Sequence, residues 1–241
     1  MATLGKNTVV LHDQYNLTTA LDSGEVSASV EPLETTTFSA NSKTFTPGTK
    51  DGTISVEGLS QNNLTSGIDA IQFDDLGNTS TLVTLSAGST AGSTAYLADT
   101  TQNAWSLAAD VSGLVRINGA YQTVQDGVEK GVLVLPVTTA TATANGATHD
   151  RGASSTSSSG NVAMLHVTAA SGTSPTLDVD IEMDDNSSFT SATTLVSFAQ
   201  ATAATVERME NTTSTERYLR VAYTIGGTDP SFTFAVSWAA R

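Results

Sequence analysis

Residues 25–59 read EVSASVEPLETTTFSANSKTFTPGTKDGTISVEGL, and this stretch limits the fold more than any other. Val26, Ala28 and Val30 alternate with polar residues, and Ile54 and Val56 do so again after Lys50-Asp51-Gly52. A period of two is the mark of a half-buried strand. The polar run between the two strands, about twenty residues, exceeds a hairpin turn, and a loop of that length inside a compact domain is either functional or disordered. Phe38 and Phe45 sit within it, and disordered loops are poor in aromatics. The sequence therefore predicts two strands flanking an arm over 34–50 that orders against another surface.

The rest of the chain fits a mainly β protein. Charged residues are only 14% of the 241, and Thr, Ser, Ala and Gly stand where a helical bundle would carry Leu, Glu and Lys. Short apolar or alternating runs predict strands at 81–86, 94–98, 104–109, 113–120, 131–136, 162–167, 194–198, 205–209 and 217–224. One helix is predicted over Leu64–Leu76, with Ile68, Ile71 and Phe73 near helical spacing, Ser66 as N-cap and Gly77 as stop. Val132-Leu133-Val134-Leu135 is apolar on both faces and calls for cover on both sides.

Residues 138–159 hold no large apolar group, and their Thr, Ser, Ala and Gly content predicts a flexible linker. This divides the chain into a domain over 1–136, a linker over 137–160 and a C-terminal domain over 161–241. In the latter, Gly172-Thr173-Ser174-Pro175 echoes Gly227-Thr228-Asp229-Pro230, each read as a turn that launches an alternating strand. About six short strands with regular turns predict a β-sandwich there.

The chemistry-bearing residues are sparse. With no cysteine, neither a disulfide framework nor a thiolate metal site can form. His12, His149 and His166 are scattered, and none stands beside a carboxylate or serine as a nucleophile arrangement requires. Gly88-Ser89-Thr90-Ala91-Gly92 has Thr where a nucleophile elbow has Ser, and no helical sequence follows. The acidic run Asp178, Asp180, Glu182, Asp184 and Asp185 alternates with Val179, Ile181 and Met183, the pattern of a strand with a solvated acidic face. A calcium site would need a turn glycine and a terminal bidentate acid; Asp184 and Asp185 would be its ligands. No catalytic set, metal or cofactor is expected. Trp105 is expected half-buried at a sheet edge.

The net charge is −14, which disfavours binding to nucleic acid or an anionic membrane. No apolar run reaches the length of a membrane span, and the first residues carry no signal-like apolar core, so assembly in a cytoplasm is expected.

The order of features over 1–136 resembles the tail tube (major tail) proteins of long-tailed bacteriophages. The residues that carry the resemblance are Thr35-Thr36-Thr37-Phe38, then Lys43 through Val56 with its glycine turn. Ala95-Tyr96-Leu97, Gly113 through Gly119 and Asp126 through Leu133 continue it. The resemblance implies an N-terminal β-sandwich or barrel of tail-tube type with one flanking helix, beside the C-terminal β-sandwich. It implies a structural virion protein and no enzyme: copies form hexameric rings that stack into a tube, in company with other tail proteins, and DNA passes through an acidic lumen without specific binding. The arm would contact a neighbouring ring through Phe38, Lys43, Phe45, Pro47 and Lys50. A competing expectation is a head decoration protein or adhesin acting through the C-terminal sandwich.

Overall fold

The computed structural model describes residues 5–61, 63, 67–155 and 160–241. The protein is mainly β, with one α-helix among the described residues. The strands are β1 (Val9–His12), β2 (Tyr15–Asn16), β3 (Leu21–Glu34), β4 (Phe45–Leu59), β5 (Thr81–Ser86), β6 (Ser93–Ala108) and β7 (Arg116–Thr123). They continue with β8 (Glu129–Ala140), β9 (Ala144–Asn145), β10 (His149–Asp150), β11 (Asn161–Asp184), β12 (Thr193–Ser197), β13 (Thr205–Asn211) and β14 (Tyr218–Ala240); helix α1 is Ile68–Asp74. Contacts group these into two compact units. One takes the chain up to Thr19, Leu82–Leu97 and Glu129–Arg241; the other takes Ala20–Thr81 and Ala98–Val128.

This division differs from the one expected at 137–160. β8 runs on to Ala140 and pairs with β6 on one side and β14 on the other, so the expected boundary lies inside the first unit. Its low-complexity continuation is held by the backbone of a neighbour: β9 pairs with Tyr223 and Ala222, and β10 with Leu219 and Tyr218. Asp150 adds an ion pair to Arg217 at 2.8 Å. A segment without large side chains can still be ordered by a ladder it joins.

The first unit is built on β11 and β14, which pair antiparallel from Asn161↔Ala240 to Asp184↔Tyr218. Tyr223 and Phe234 lie in the same strand, and about eleven residues of straight strand span on the order of 35 Å. Their rings nevertheless meet edge to face with centroids 5.2 Å apart. β14 must therefore fold back on itself, and β11, paired with it throughout, folds with it. One layer is β13, the first half of β11, the second half of β14 and β8; the other is β12, the second half of β11, the first half of β14 and the short β9 and β10. Leu165, Val167, Phe232 and Phe234 from one layer share a buried cluster with Leu177, Val179, Ile181, Leu219 and Tyr223 from the other.

The repeated Gly-Thr-x-Pro segments make the corner. Thr173 pairs with Thr228, and the register shifts on both sides of that pair. Gly172 and Gly227 have φ of +113° and +111°, and Ser174 and Asp229 also have positive φ. A Cβ on Gly172 would lie 2.7 Å from the Asp229 carbonyl oxygen, and one on Gly227 would lie 2.7 Å from that of Ser174. The two copies thus pack against each other about a local two-fold. They are bulges within two long strands rather than turns between short ones, and bulges are the device by which a strand passes from one layer to the next.

The outward face of the first layer carries a second cluster: Val162, Met164, Ala235 and Leu133 with Val9, Leu11, Leu82 and Leu97. Val134 and Leu135 belong to the sandwich interior while Leu133 belongs to this one, so the all-apolar run of β8 is covered on both sides as its sequence requires.

The second unit is a four-stranded antiparallel sheet in the order β3, β4, β7 and the second half of β6. Ile54, Val56, Ile117 and Tyr121 are buried and share a face by register. α1 covers that face: Gln72 lies against Gly119, where a Cβ would come within 2.9 Å of its amide carbon, and Phe73 meets the half-buried Trp105 edge to face at 5.1 Å. Gly77 at φ +86° ends the helical segment; the expected cap Ser66 and the expected first residues Leu64 and Thr65 lie outside the described residues. The Gln72 amide is fully buried, and neither its oxygen nor its nitrogen has a hydrogen-bond partner among the described residues. A buried unpaired amide costs about 1–3 kcal/mol. Gln72→Met, which keeps the shape, is expected to raise stability by about 1 kcal/mol, read as an increase in the urea midpoint; a decrease would show that the amide is satisfied.

Candidate functional site

The arm is a β-hairpin. β3 and β4 pair from Leu21↔Gly58 out to Glu34↔Phe45, with a bulge where Pro32 meets Pro47. The unpaired tip is residues 35–44, closed by Thr35 N–H donating to the Thr44 carbonyl at 2.8 Å and by Thr44 N–H donating to Thr36 Oγ1 at 3.1 Å. This corrects the expectation of a long irregular loop over 34–50. The hairpin was hidden because residues 27–34 are exposed on both faces. With no core on either side, no hydrophobic alternation is needed, and the ladder alone holds the strands.

The structure spreads the five expected contact residues along this hairpin. Phe38 is fully exposed in the tip. Phe45 begins β4 and is more than half exposed. Lys43 pairs with Glu34 at 3.1 Å, with both side chains in solvent, a contact of little energetic weight. Pro47 lies on the strand opposite Pro32. Lys50 lies opposite Val30 and lines, with Ala28, Ser29, Asp51 and Val128, a shallow cleft of about 270 Å³. They share one element and do not converge on one point.

Sequence reasoning missed two groups. Val30 and Leu33 add exposed apolar surface to the arm, and Leu107, Val111 and Leu114 expose more on the hairpin between β6 and β7. The signal lies in residues 107–115, where Leu107, Val111 and Leu114 stand among Asp110, Ser112 and Gly113 with no period that would bury them.

The face of the second unit's sheet opposite α1 is polar. One cross-strand row is Ser23, Glu57, Asn118 and Ser106, and the next is Glu25 and Ser55 followed by the small residues Ala120 and Ala104. Arg116 on that face donates to Glu57 at 2.7 Å and to both Asp22 oxygens at 2.8 Å. These carboxylates, Glu57 first, hold its guanidinium above its ordinary pKa.

The other chemistry-bearing residues are occupied structurally. His166 is enclosed between β11 and its neighbours, with Nδ1 2.7 Å from the Asp13 carbonyl oxygen and Nε2 2.9 Å from Thr84 Oγ1. Burial lowers its pKa to about 4, and burial together with the neighbouring His166 lowers that of His12 to about 4. Thr90 lies in an exposed turn closed by Ser93 N–H donating to its carbonyl. The acidic strand alternates as expected: Val179, Ile181 and Met183 point inward. Asp184 differs, being buried. Its carboxylate accepts from the Asn186 and Ser191 amides at 2.8 Å, and these bonds, the Asn186 amide first, hold its pKa down. Its oxygens thereby organise the following loop. Asp185 and Glu216 lie within 4.8 Å of it.

No protein-family model matches the sequence, and no curated protein is similar to it. Among solved structures, the chain is similar to one from the virion of a native gene transfer agent particle, at 13% identity and a TM-score of 0.43, over 54% of this chain and 98% of that one. It is similar to the SPP1 tail tube at 15% identity and a TM-score of 0.42, over 54% and 78%. Its similarity to the SPP1 Dit protein, described as a hub of the adsorption apparatus in phages that infect Gram-positive hosts, extends over 97% of this chain and 99% of that one, at 10% identity and a TM-score of 0.38. These structural neighbours are tail-tube, hub and virion proteins.

Proposed function

We propose that the chain is a structural virion protein of a phage tail, which self-assembles into stacked rings, hexameric in the reading its sequence suggests, and encloses a tube for DNA. The observation that carries this reading is the hairpin arm. It extends apolar side chains, Phe38 and Phe45 foremost, into solvent, where they gain nothing for the isolated fold and are available for burial by a neighbouring subunit. Exposed apolar groups on a projecting element have no catalytic use, and the reading is structural rather than enzymatic. The polar sheet face supports the second half of the proposal. A phosphate backbone meets hydroxyls, amides and carboxylates there, and the cation on it, Arg116, is neutralised by Glu57 and Asp22. Such a surface lets DNA pass without adhering.

Negative-stain electron microscopy across a concentration series tests the reading. The native chain is expected to form rings or hollow tubes, and a variant with residues 34–50 replaced by a short Gly-Ser linker is expected to form none. Particles that stay monomeric or as small oligomers in both samples at high concentration would overturn it and favour the decoration or adhesin role.

A further inference from the structure

All the large hydrophobic side chains that stay exposed among the described residues lie in the second unit. Its topology fixes where the main groups sit. β4 meets β3 at Glu34↔Phe45 and at Leu21↔Gly58, and it meets β7 at Leu59↔Arg116. β6 ends with Ala108 opposite Arg116. The arm tip therefore leaves one end of the sheet and the loop over 109–115 leaves the other, separated by the length of β4, on the order of 45 Å. The first end shows Leu33, Phe38 and Phe45; the second shows Leu107, Val111 and Leu114.

Both places are also poor in charge. Copies of a chain with net charge −14 repel one another, and contact is least opposed where charge is sparse. Residues 35–42, TTTFSANS, carry none, and residues 109–115, ADVSGLV, carry only Asp110. We infer that the arm tip of one copy docks on the 107–115 tip of a second copy, so that copies join head to tail along the strand direction. This rests on the assembly reading above and names the surface that receives the arm. Two unlike patches at opposite ends make a heterologous contact, which propagates instead of closing into a pair. The six side chains bury about 800 Å², less than the roughly 1,200 Å² of a stable isolated pair. One contact is weak by itself, and the stack holds because several arms of a ring engage together.

The absence of native cysteine makes cross-linking a direct test. The double variant F38C/V111C, oxidised with copper phenanthroline at a concentration where particles form, is expected to give a ladder of dimers, trimers and longer species. F38C or V111C alone is expected to stay monomeric, and a mixture of the two to stop at dimer. In parallel, V111D/L114D, altered only at exposed positions, is expected to raise the concentration needed for particles about a hundredfold. Particles that form without a ladder, an equally strong dimer from F38C alone, or an unchanged threshold in V111D/L114D would each overturn the docking while leaving the assembly reading intact. No particles from the native chain would overturn both.

Discussion

Alanine at Gly172 and Gly227 together is expected to unfold the first unit. Each residue holds φ beyond +110°, a region an L side chain enters at a cost of about 1–2 kcal/mol. Each also faces the other strand's backbone so closely that a Cβ would lie 2.7 Å from a carbonyl oxygen and within 3.0 Å of a proline Cα. Backbone cannot yield as a flexible side chain can, so each single variant is expected to lose about 3 kcal/mol or more. The pair then removes much of the roughly 5–15 kcal/mol that holds a domain together. Gly152 provides the control: it also has positive φ, at +84°, but nothing lies within 4 Å of its added Cβ. Gly152→Ala should therefore cost only the conformational part, about 1 kcal/mol. Urea unfolding followed by far-ultraviolet circular dichroism, with the near-ultraviolet band as a reporter of aromatic packing, separates these outcomes. A G172A/G227A chain within about 1 kcal/mol of native would show that the corner tolerates a side chain and that the Gly-Thr-x-Pro echo has no role in folding.

Acid is expected to destabilise the protein before most carboxylates titrate. A carbonyl oxygen can only accept, so His166 Nδ1 donates to Asp13 and Nε2 accepts from Thr84 Oγ1, whose oxygen is in turn 3.1 Å from Ser237 Oγ. Burial, rather than these bonds, favours the neutral ring in which Nε2 is the acceptor. The folded-state pKa of about 4 lies below the ordinary 6.5, so between these values the unfolded chain binds more protons. The stabilisation is fully present above about pH 6.5 and is lost as pH falls towards about 4. By pH 5 the loss reaches about 2 kcal/mol for His166. His12 shifts in the same direction and steepens the fall. Urea unfolding at pH 7.5, 6 and 5 should show the loss, and His166→Gln, less stable at pH 7.5, should show a shallower dependence. Equal slopes for the two chains would place the acid sensitivity elsewhere.

The residues show where local pattern suffices and where it fails. The strand predicted over 81–86 is β5 to the residue, and the period-two faces of 177–183 and 54–56 are buried as their spacing requires. In the last two, one face meets a core while the other stays partly exposed, so burial writes itself into the sequence, whereas β5 is buried throughout and is marked by its apolar, β-branched content. The alternation at Val26, Ala28 and Val30 predicts a half-buried strand, but Ala28 and Val30 are exposed, and beyond Val30 the arm's strands carry no period, since both faces are solvated. The echo at 172 and 227 was visible, but its meaning was not: glycine and proline mark a turn and a corner alike, and only the partner strand decides which.

By itself, then, the sequence determined the mainly β character, the position of the arm with its two phenylalanines, and the scarcity of groups that could do chemistry, because these follow from composition and from period. Only the tertiary structure decided that the arm is a hairpin, that β11 and β14 fold together into two layers, that residues 137–150 are tied to β14, and that Val111 and Leu114 stand exposed at the far end of the sheet from Phe38. Each of these depends on pairing between segments far apart in the chain, and backbone hydrogen bonds, being the same for almost every residue, leave no mark in the identity of the side chains that make them.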